Sequence, residues 1–255
     1  MSLKSLNSTQ KSAVEAVDGP VLIFAGAGSG KTRVLTHKLF YLVNEGLFKP
    51  EEILAVTFTN KAAKEMKERV MKLLKANDLP LSIGTFHSIC ARILREDIQV
   101  IGFSKHFAIY DVQDQLDLIK VLFEDNDISK NLITPIQLRN QIGLFKNKMI
   151  DPKTVERRSR TILEKTVSNI YAKYQKALKL NDALDFDDLL TFPLKIFNKK
   201  PSILKKYQTR WKYILVDEYQ DTNRAQFEFL TVSVSYTHLR AHETEADLVC
   251  RLLLE

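Results

Sequence analysis

The chain contains 255 residues, 45% of them hydrophobic, which is enough to bury a sizeable core in one large domain or two small ones. Its 38 Lys and Arg residues against 31 Asp and Glu residues give a net charge of +7, which favours a polyanionic partner such as nucleic acid. The two cysteines lie far apart and indicate neither a disulfide framework nor a zinc site. No apolar run is long enough for a signal peptide or a membrane span, so a cytoplasmic setting fits best.

Short apolar runs, each followed by a helical stretch, are predicted to be strands. The first run, Val21–Ala25, ends in a glycine-rich turn, after which Thr32–Val43 carries apolar residues at helical spacing. Further strands are predicted at Ile53–Phe58, Ser82–Thr85 and Tyr213–Val216. Because strands that alternate with helices form parallel sheets, we expect an α/β fold with a parallel sheet covered by helices on both faces.

The middle of the chain is predicted to be an all-helical insertion. Three segments have helical spacing and no strand-like run separates them: Val112–Asp125, Pro135–Lys148 and Thr154–Leu180. The alternation of helix and strand then resumes with a helix at Asp185–Asn198. We therefore expect a discontinuous α/β domain, residues 1–110 and 185–233, interrupted by a helical domain at 111–184.

The glycine-rich turn has the composition of a phosphate-binding loop. Glycines allow backbone N–H groups to point at phosphate oxygens, Lys31 can neutralise the charge between the β- and γ-phosphates, and the Thr32 hydroxyl can ligate Mg²⁺. Arg33 follows and can face either nucleotide or solvent. The alternative is a plain glycine-rich turn, but the strand before it and the helix after it favour nucleotide binding. The loop comprises Ala25, where glycine is usual, and Gly26, Ala27, Gly28, Ser29, Gly30, Lys31 and Thr32.

An acidic motif follows the last predicted strand. Asp217 is placed to bind the metal ion and Glu218 to act as general base on the attacking water, with Gln220 near the γ-phosphate. Acidic pairs after strands are often only solvated turns. Here the phosphate-binding loop elsewhere in the chain favours a catalytic interpretation.

These two motifs resemble those of the UvrD/Rep group of superfamily 1 DNA helicases. The resemblance rests on Ala25–Thr32 and Asp217–Asn223 and extends over about residues 5–232. It implies a RecA-like P-loop NTPase fold that uses ATP and Mg²⁺. Leu6 and Asn7, with Gln10, resemble the adenine-reading element of the family, in which the Gln10 amide would hydrogen-bond the adenine edge; this implies ATP rather than GTP.

Two further stretches resemble the single-strand DNA contact motifs of this family, Thr57–Ala63 and Gly84–Ser88, and Asp185–Leu189 resembles another of its motifs. An aromatic ring beside hydroxyl and amide groups can stack on a base while its neighbours bind phosphate. Without the resemblance, such aromatic residues would be interpreted as core. The expected DNA contacts are Phe58, Thr59, Asn60, Thr85, Phe86 and His87.

The sequence after Leu230 departs from the family pattern, in which another strand is expected. Residues 234–255 instead resemble a translated sequencing adapter, so we do not interpret His238, His242 or Cys250 as ligands. A divergent natural C-terminus is the alternative. We expect a sheet that is incomplete at its C-terminal end, with an unpaired edge near Tyr213–Val216.

Three functions are consistent with these motifs. The first is an ATP-driven helicase that translocates on single-stranded DNA, to which this chain contributes the N-terminal ATPase lobe without unwinding by itself. The second is a non-catalytic module that binds ATP and single-stranded DNA, and a helicase part of a helicase-nuclease is a variant of the first. The third is a small-molecule P-loop kinase, for which no acceptor pocket is identifiable.

Overall fold

The computed structural model describes residues 3–19, 21–25, 28–233 and 251–254. Helices and strands alternate in the first part of the chain, as the sequence predicts. They are α1 (Ser8–Glu15), β1 (Leu22–Ala25), α2 (Lys31–Asn44), β2 (Ile53–Thr57), α3 (Asn60–Leu74), β3 (Ser82–Thr85) and α4 (Phe86–Asp97).

The remainder of the chain is mainly helical and returns to one further strand of the main sheet. Its elements are β4 (Ala108–Tyr110), α5 (Val112–Glu124), α6 (Pro135–Asn147), α7 (Pro152–Arg158), α8 (Ile162–Leu180), β5 (Ala183–Asp185), α9 (Phe186–Lys199), α10 (Pro201–Arg210), β6 (Tyr213–Val216), α11 (Arg224–Ser233) and β7 (Arg251–Leu254). Short 3₁₀ helices lie at Leu3–Ser5, Pro50–Glu52, Ile98–Ile101 and Tyr219–Asp221. Among the described residues, no helix is both long and apolar enough to cross a membrane.

The chain forms two compact units. The first unit is drawn from Met1–Ile89, Lys205–Asp221 and Thr231–Glu255, and the second from Cys90–Leu204 and Thr222–Leu230. The second unit is larger than the helical insertion expected at 111–184, because α9 packs on α6 and on the 3₁₀ helix Ile98–Ile101. Residues before position 111 and after position 184 therefore belong to the same compact unit as the helices of the expected insertion.

The strands of the first unit are parallel. The order β3-β2-β6 places β2 in the centre, with Thr57 opposite Thr85 and Val56 opposite Val216. All five residues of β2 are buried, as expected of a central strand in a sheet covered on both faces. In the described part of the chain β6 pairs only with β2, while β7 pairs in parallel with β1.

The core of the first unit lies between this sheet and the helices α2 and α3. Leu39 and Leu42 of α2 and Met66 and Val70 of α3 are buried at helical spacing against Ile53. These residues fix the direction in which α2 leaves β1. The predicted parallel α/β arrangement is therefore confirmed.

Helix α1 is fastened to α2 by a buried lysine. Lys38 is 3% exposed, and its ammonium group donates hydrogen bonds to the carbonyls of Ala13 and Ala16 at the end of α1. Burial lowers the pKa of Lys38 to about 8. Ala13 and Val14 pack on Val34 of α2 in a small apolar cluster of their own.

The second unit has its own core, which includes Ile119, Leu138, Ile170 and Tyr174. The predicted single helix at Thr154–Leu180 is divided into α7 and α8, because Thr161 caps α8 and exchanges hydrogen bonds with Glu164 in a capping box. Strands β4 and β5, three residues each, pair in parallel. They were not predicted, since so short a segment has no period to recognise.

Candidate functional site

The side chains predicted to bind ligands or to act in catalysis follow four strands of the first unit, namely β1, β2, β3 and β6. In a parallel sheet the carboxyl ends of the strands lie on one edge, where ligands bind in open α/β folds. The register brings the residues after β2 and β3 side by side, with the residues after β6 on the other side of β2. The glycine-rich loop follows β1 and leads into α2.

The described part of the glycine-rich loop contains two glycines with positive φ angles. Gly28 and Gly30 have φ angles of 81° and 89°, which favour glycine. Gly30 is the N-cap residue of α2 and has no side chain with which to cap it. A helix N-terminus that follows a glycine-rich turn is a common position for an anion. Gly26 and Ala27 lie outside the described residues, as does the side chain of Ala25.

Gln10 lies against this loop. Its amide group donates to the Ser29 carbonyl at 3.0 Å and accepts from the Asn7 backbone N–H at 3.2 Å. A side chain at Gly30 would place its Cβ 3.3 Å from the Gln10 amide nitrogen, which is a further reason for glycine there. Both ends of the Gln10 amide are used within the protein, so adenine recognition stays a prediction that requires these bonds to be exchanged.

Asp217 and Lys31 are brought near each other from different strands. The Asp217 side chain is 6% exposed, and its Oδ1 has no hydrogen-bond partner among the described residues. Burial and the neighbouring Glu218 raise the pKa of Asp217, while the charge of Lys31 acts in the opposite direction. A buried carboxylate oxygen without a hydrogen-bond partner among the described residues fits a hard divalent cation, and the Thr32 hydroxyl, one residue after Lys31 in the sequence, is a further oxygen of the kind such a cation takes.

The acidic motif is held in an unusual backbone conformation. The Asp217 N–H donates to the Val56 carbonyl at 2.9 Å, which continues the pairing of β6 with β2. Glu218 then has a φ angle of 52°, in the left-handed region that a glutamate seldom occupies. Its carboxylate accepts a hydrogen bond from the Gln220 amide. Strained residues of this kind concentrate at functional sites, which supports the role expected of Glu218.

A basic cleft lies beside the start of α2. It has a volume of about 340 Å³ and includes Arg33, whose guanidinium donates to the Ser5 carbonyl at 2.9 Å. The residues that line it are Arg33, Thr36, His37, Arg69, Lys72 and Leu73. Of these six residues, only Arg33 is among the site residues predicted from the sequence. The spacing of Arg33, Thr36 and His37 places them on one face of α2, but the approach of α3 that adds Arg69 and Lys72 is a tertiary feature.

The residues after β2 are accessible to different degrees. Thr59 and Asn60 are exposed, and the Thr59 hydroxyl caps α3 by accepting from the Ala62 N–H at 3.1 Å. The Phe58 ring is half-buried and packs edge-on against Phe86, with ring centroids 5.8 Å apart. One part of the Phe58 ring is thus supported by the core while another part remains accessible.

The residues after β3 are more deeply placed. Phe86 is 1% exposed, so its ring has no free face for a base, and its position indicates a supporting role for Phe58. Thr85 is 8% exposed, and its hydroxyl accepts from the Ser88 N–H at 3.2 Å. His87 is half-buried, and burial lowers its pKa. Of this predicted group, His87 is the residue best placed to reach a ligand.

The Asp185–Leu189 motif lies in the second unit, where it forms a buried charge cluster. The Lys146 ammonium is 2.6 Å from Asp185 and 2.9 Å from Asp188, and all three side chains are almost fully buried. The pKa of Asp188 is raised to about 7 by burial and by the charge of Asp185. Burial opposes ionisation of Asp185 as well, but Lys146 holds the pKa of Asp185 below its ordinary value. The partner, Lys146, was not identified from the sequence.

Comparison with known proteins identifies relatives over most of the chain. Residues 6–239 match the family model described as the UvrD/REP helicase N-terminal domain. The ATP-dependent DNA helicase PcrA of Bacillus subtilis is 47% identical over 225 residues, which cover 88% of this chain and 30% of that protein. PcrA of Staphylococcus aureus is 42% identical over 233 residues, covering 91% of this chain and 32% of its own length.

PcrA of Staphylococcus epidermidis is 44% identical over 225 residues, which cover 88% of this chain and 31% of that helicase. The chain thus corresponds to somewhat less than a third of each of these three relatives. The family match includes both the glycine-rich loop, which follows β1, and the acidic motif, which follows β6. The chain therefore belongs to the UvrD/REP helicase N-terminal domain family.

Proposed function

We propose that this chain forms the N-terminal ATPase lobe of an ATP-dependent helicase that translocates on single-stranded DNA. The observation that carries the proposal is the buried Asp217 oxygen, which has no hydrogen-bond partner among the described residues and lies directly after β6, on a carboxylate that feels the charge of Lys31 at the start of α2. A cation and a carboxylate placed in this way match the needs of a magnesium-bound nucleoside triphosphate. The names of the PcrA relatives, which are ATP-dependent DNA helicases, point in the same direction.

The loop, the start of α2 and Asp217 would hold Mg²⁺·ATP. The N–H groups at the start of α2 and the Lys31 ammonium bind phosphate oxygens, while Thr32 and Asp217 supply oxygen ligands for the metal ion. When bound, Mg²⁺ neutralises charge on the β- and γ-phosphates and orients them. The basic cleft beside Arg33 offers positive charge for the more distal part of the nucleotide or for a further anion.

Glu218 is the residue placed to accept a proton from the attacking water. Its left-handed backbone turns the side chain away from the path of β6, and the Gln220 amide, one hydrogen bond away, is placed to orient the same water. Lys31 counters charge that accumulates on the γ-phosphate as the bond to the β-phosphate breaks. These roles need only side chains from one edge of the sheet.

The DNA contacts are proposed to follow β2 and β3. Phe58 stacks on a base, Thr59 and Asn60 bind phosphate, and Phe86 supports the Phe58 ring. Strand β2 connects the acidic motif with the proposed DNA contacts. Its Val56 carbonyl accepts a hydrogen bond from the Asp217 N–H, and Phe58 lies two residues after Val56. A change at the acidic motif therefore reaches the DNA-contacting residues through one short strand.

A module that binds ATP and single-stranded DNA without turnover is the alternative for the isolated chain. The matched region makes up 30% of the Bacillus subtilis relative, so we expect the 255-residue chain alone to bind both ligands and not to separate strands. Steady-state ATPase measurements with and without single-stranded DNA distinguish turnover from binding. Strand separation by the chain alone would contradict this expectation.

The decisive experiment for the site is replacement of Lys31. Lys31→Ala should remove detectable binding of fluorescent ATP in the presence of Mg²⁺, because it deletes the side-chain cation proposed to face the β- and γ-phosphates. Lys130→Ala, which removes an exposed lysine of the second unit, is the matched control and should leave affinity unchanged. Equal ATP affinity in both variants would refute the assignment of the loop.

A further inference from the structure

The segment that follows the acidic motif is anchored in the second unit. The chain passes from the first unit to the second between Asp221 and Thr222, directly after Glu218 and Gln220. The next residue, Asn223, makes three side-chain or cap interactions within the second unit. The residues that directly follow the acidic motif are therefore held within the second unit.

Asn223 has two separable roles. It caps α11 reciprocally with Gln226: the Asn223 N–H donates to the Gln226 side chain, and the Gln226 N–H donates to the Asn223 side-chain oxygen, both at 2.9 Å. The remaining group, the Asn223 side-chain NH₂, donates to Oδ1 of Asn147 in α6 at 3.0 Å. This last bond contributes nothing to the cap and joins α11 to a different helix.

Asn147 is oriented by acceptors that allow one arrangement only. Its NH₂ group donates to the Gly143 carbonyl at 2.9 Å and to Asp187 Oδ1 at 3.0 Å. Because the Gly143 backbone carbonyl can only accept, the Asn147 NH₂ group must face it, and the amide directs its oxygen towards Asn223. We call Asn147, Asp187 and Asn223 the asparagine bridge.

The asparagine bridge lies beside a buried ion-pair cluster. Lys146, the residue before Asn147, forms the buried ion pairs with Asp185 and Asp188, which flank Asp187 in the sequence. A side chain at Gly143 would place its Cβ 3.2 Å from Asp187 Oδ2, so α6 and the start of α9 approach as closely as glycine allows. Neither Asn147 nor Asp187 can shift far without disturbing this buried cluster.

We propose that Asn147 is a positioning residue for ATP hydrolysis, which acts by holding Asn223 and thereby the outgoing end of the acidic motif. The incoming end is held by the bond from the Asp217 N–H to the Val56 carbonyl, and Glu218, with its φ angle of 52°, and Gln220 lie between Asp217 and Asn223. This inference depends on the proposed function for its catalytic meaning, but the restraint itself is measurable without turnover.

The test uses hydrogen exchange of the 255-residue chain. The Asp221 N–H, which donates to the Glu218 carbonyl at 3.0 Å, reports on the acidic motif and lies in the first unit. Asn147→Ala should accelerate its exchange about three- to tenfold, the effect of losing one hydrogen bond. Asn223→Ser retains a capping oxygen but cannot reach Asn147, so it should give a similar acceleration. Asn140→Ala, an exposed change in the same helix α6, should have no effect.

A reciprocal exchange provides the second arm. Asn147→Asp alone should behave like Asn147→Ala, because it opposes two carboxylates. Combined with Asp187→Asn, the new amide at position 187 can donate to the new carboxylate at position 147, whose other oxygen accepts from Asn223. The double variant should restore slow exchange at Asp221. Wild-type exchange at Asp221 in Asn147→Ala, with acceleration confined to α6 and α11, would overturn the inference.

Single-turnover hydrolysis separates this inference from the proposed function. In Asn147→Ala the rate of hydrolysis should fall about three- to tenfold while the affinity for Mg²⁺·ATP changes less than about twofold, because the phosphate-binding residues lie elsewhere. A loss of affinity equal to the loss of rate would refute a positioning role. Absence of hydrolysis by the unaltered chain would count against the catalytic proposal, and the exchange measurement would still decide whether the asparagine bridge holds the motif.

Discussion

Replacing Asp188 by asparagine tests the buried charge cluster of the second unit. The side chain of Asp188 is 1% exposed, Lys146 is 2.9 Å away, and Gln175 donates to its other oxygen at 3.1 Å. The charges of Asp185 and Lys195 also act on Asp188. One lysine in ion-pair contact with two carboxylates leaves negative charge that burial makes costly.

The pH dependence follows from the direction of the pKa change. The pKa of Asp188 is raised from 3.8 to about 7 in the folded protein, so between these values the folded state binds more protons than the unfolded state. The contribution of Asp188 to the free energy of unfolding is therefore greatest near pH 3.8 and falls as the pH rises towards 7. The gap of about three pH units sets an upper limit of about 4 kcal/mol, at about 1.36 kcal/mol per unit.

Urea unfolding followed by far-UV circular dichroism at several pH values provides the measurement. Asp188→Asn should be equal to the wild type or less stable near pH 5. Its stability relative to the wild type should increase by about 2–3 kcal/mol by pH 8, since asparagine carries no charge and about two units of the pKa change lie above pH 5. Other carboxylates whose pKa is lowered, such as Asp151 and Glu164, lose stabilising interactions only under more acidic conditions. A stability difference between variant and wild type that does not change from pH 5 to pH 8 would refute this account.

Three further predictions concern the ligand contacts and one helix cap. Gln10→Ala should reduce the preference for ATP over GTP more than it reduces phosphate binding, and equal losses in titrations with both nucleotides would contradict adenine recognition. Phe58→Ala should weaken single-stranded DNA binding by about 1–3 kcal/mol, in addition to a lower melting temperature from the lost packing on Phe86; normal affinity in the destabilised variant would exclude stacking. Thr161→Ala should destabilise the second unit by about 1 kcal/mol in urea unfolding through loss of the α8 cap, whereas Thr161→Ser should not.

The strands and the positions of the glycine-rich loop and the acidic motif after them could be predicted because their signals are local. Strand β2 is a continuous apolar run, the loop before α2 contains glycines that the backbone requires, and Asp217 follows an apolar strand directly. The boundary between α7 and α8 also has a sequence signal, because Thr161 and Glu164 have the spacing of a capping box. The apolar periodicity continues across this boundary, however, and led to the prediction of a single helix.

Other parts of the candidate site depend on tertiary packing. Lys146 lies 39 residues from Asp185, and nothing in its neighbourhood distinguishes it from the exposed lysines around it. The asparagine bridge and the basic cleft likewise join residues from different helices. The burial of Phe86 was not predicted because an aromatic residue at a strand end has the same sequence signature whether it faces a ligand or the core.

The attachment of α1 to α2 through Lys38 has a consequence for nucleotide selection. Helix α1 has eight residues, too few to be stable in isolation, and Lys38 satisfies two of the carbonyls at its end while opposing their partial negative charge. Gln10 lies on α1, whereas Lys31 begins the helix that carries Lys38. If the proposed triphosphate binds at the start of α2, the contact through Lys38 links that site to the helix that carries Gln10. A substitution that perturbs the start of α2 is then expected to lower the affinity for phosphate and the selectivity for the base together.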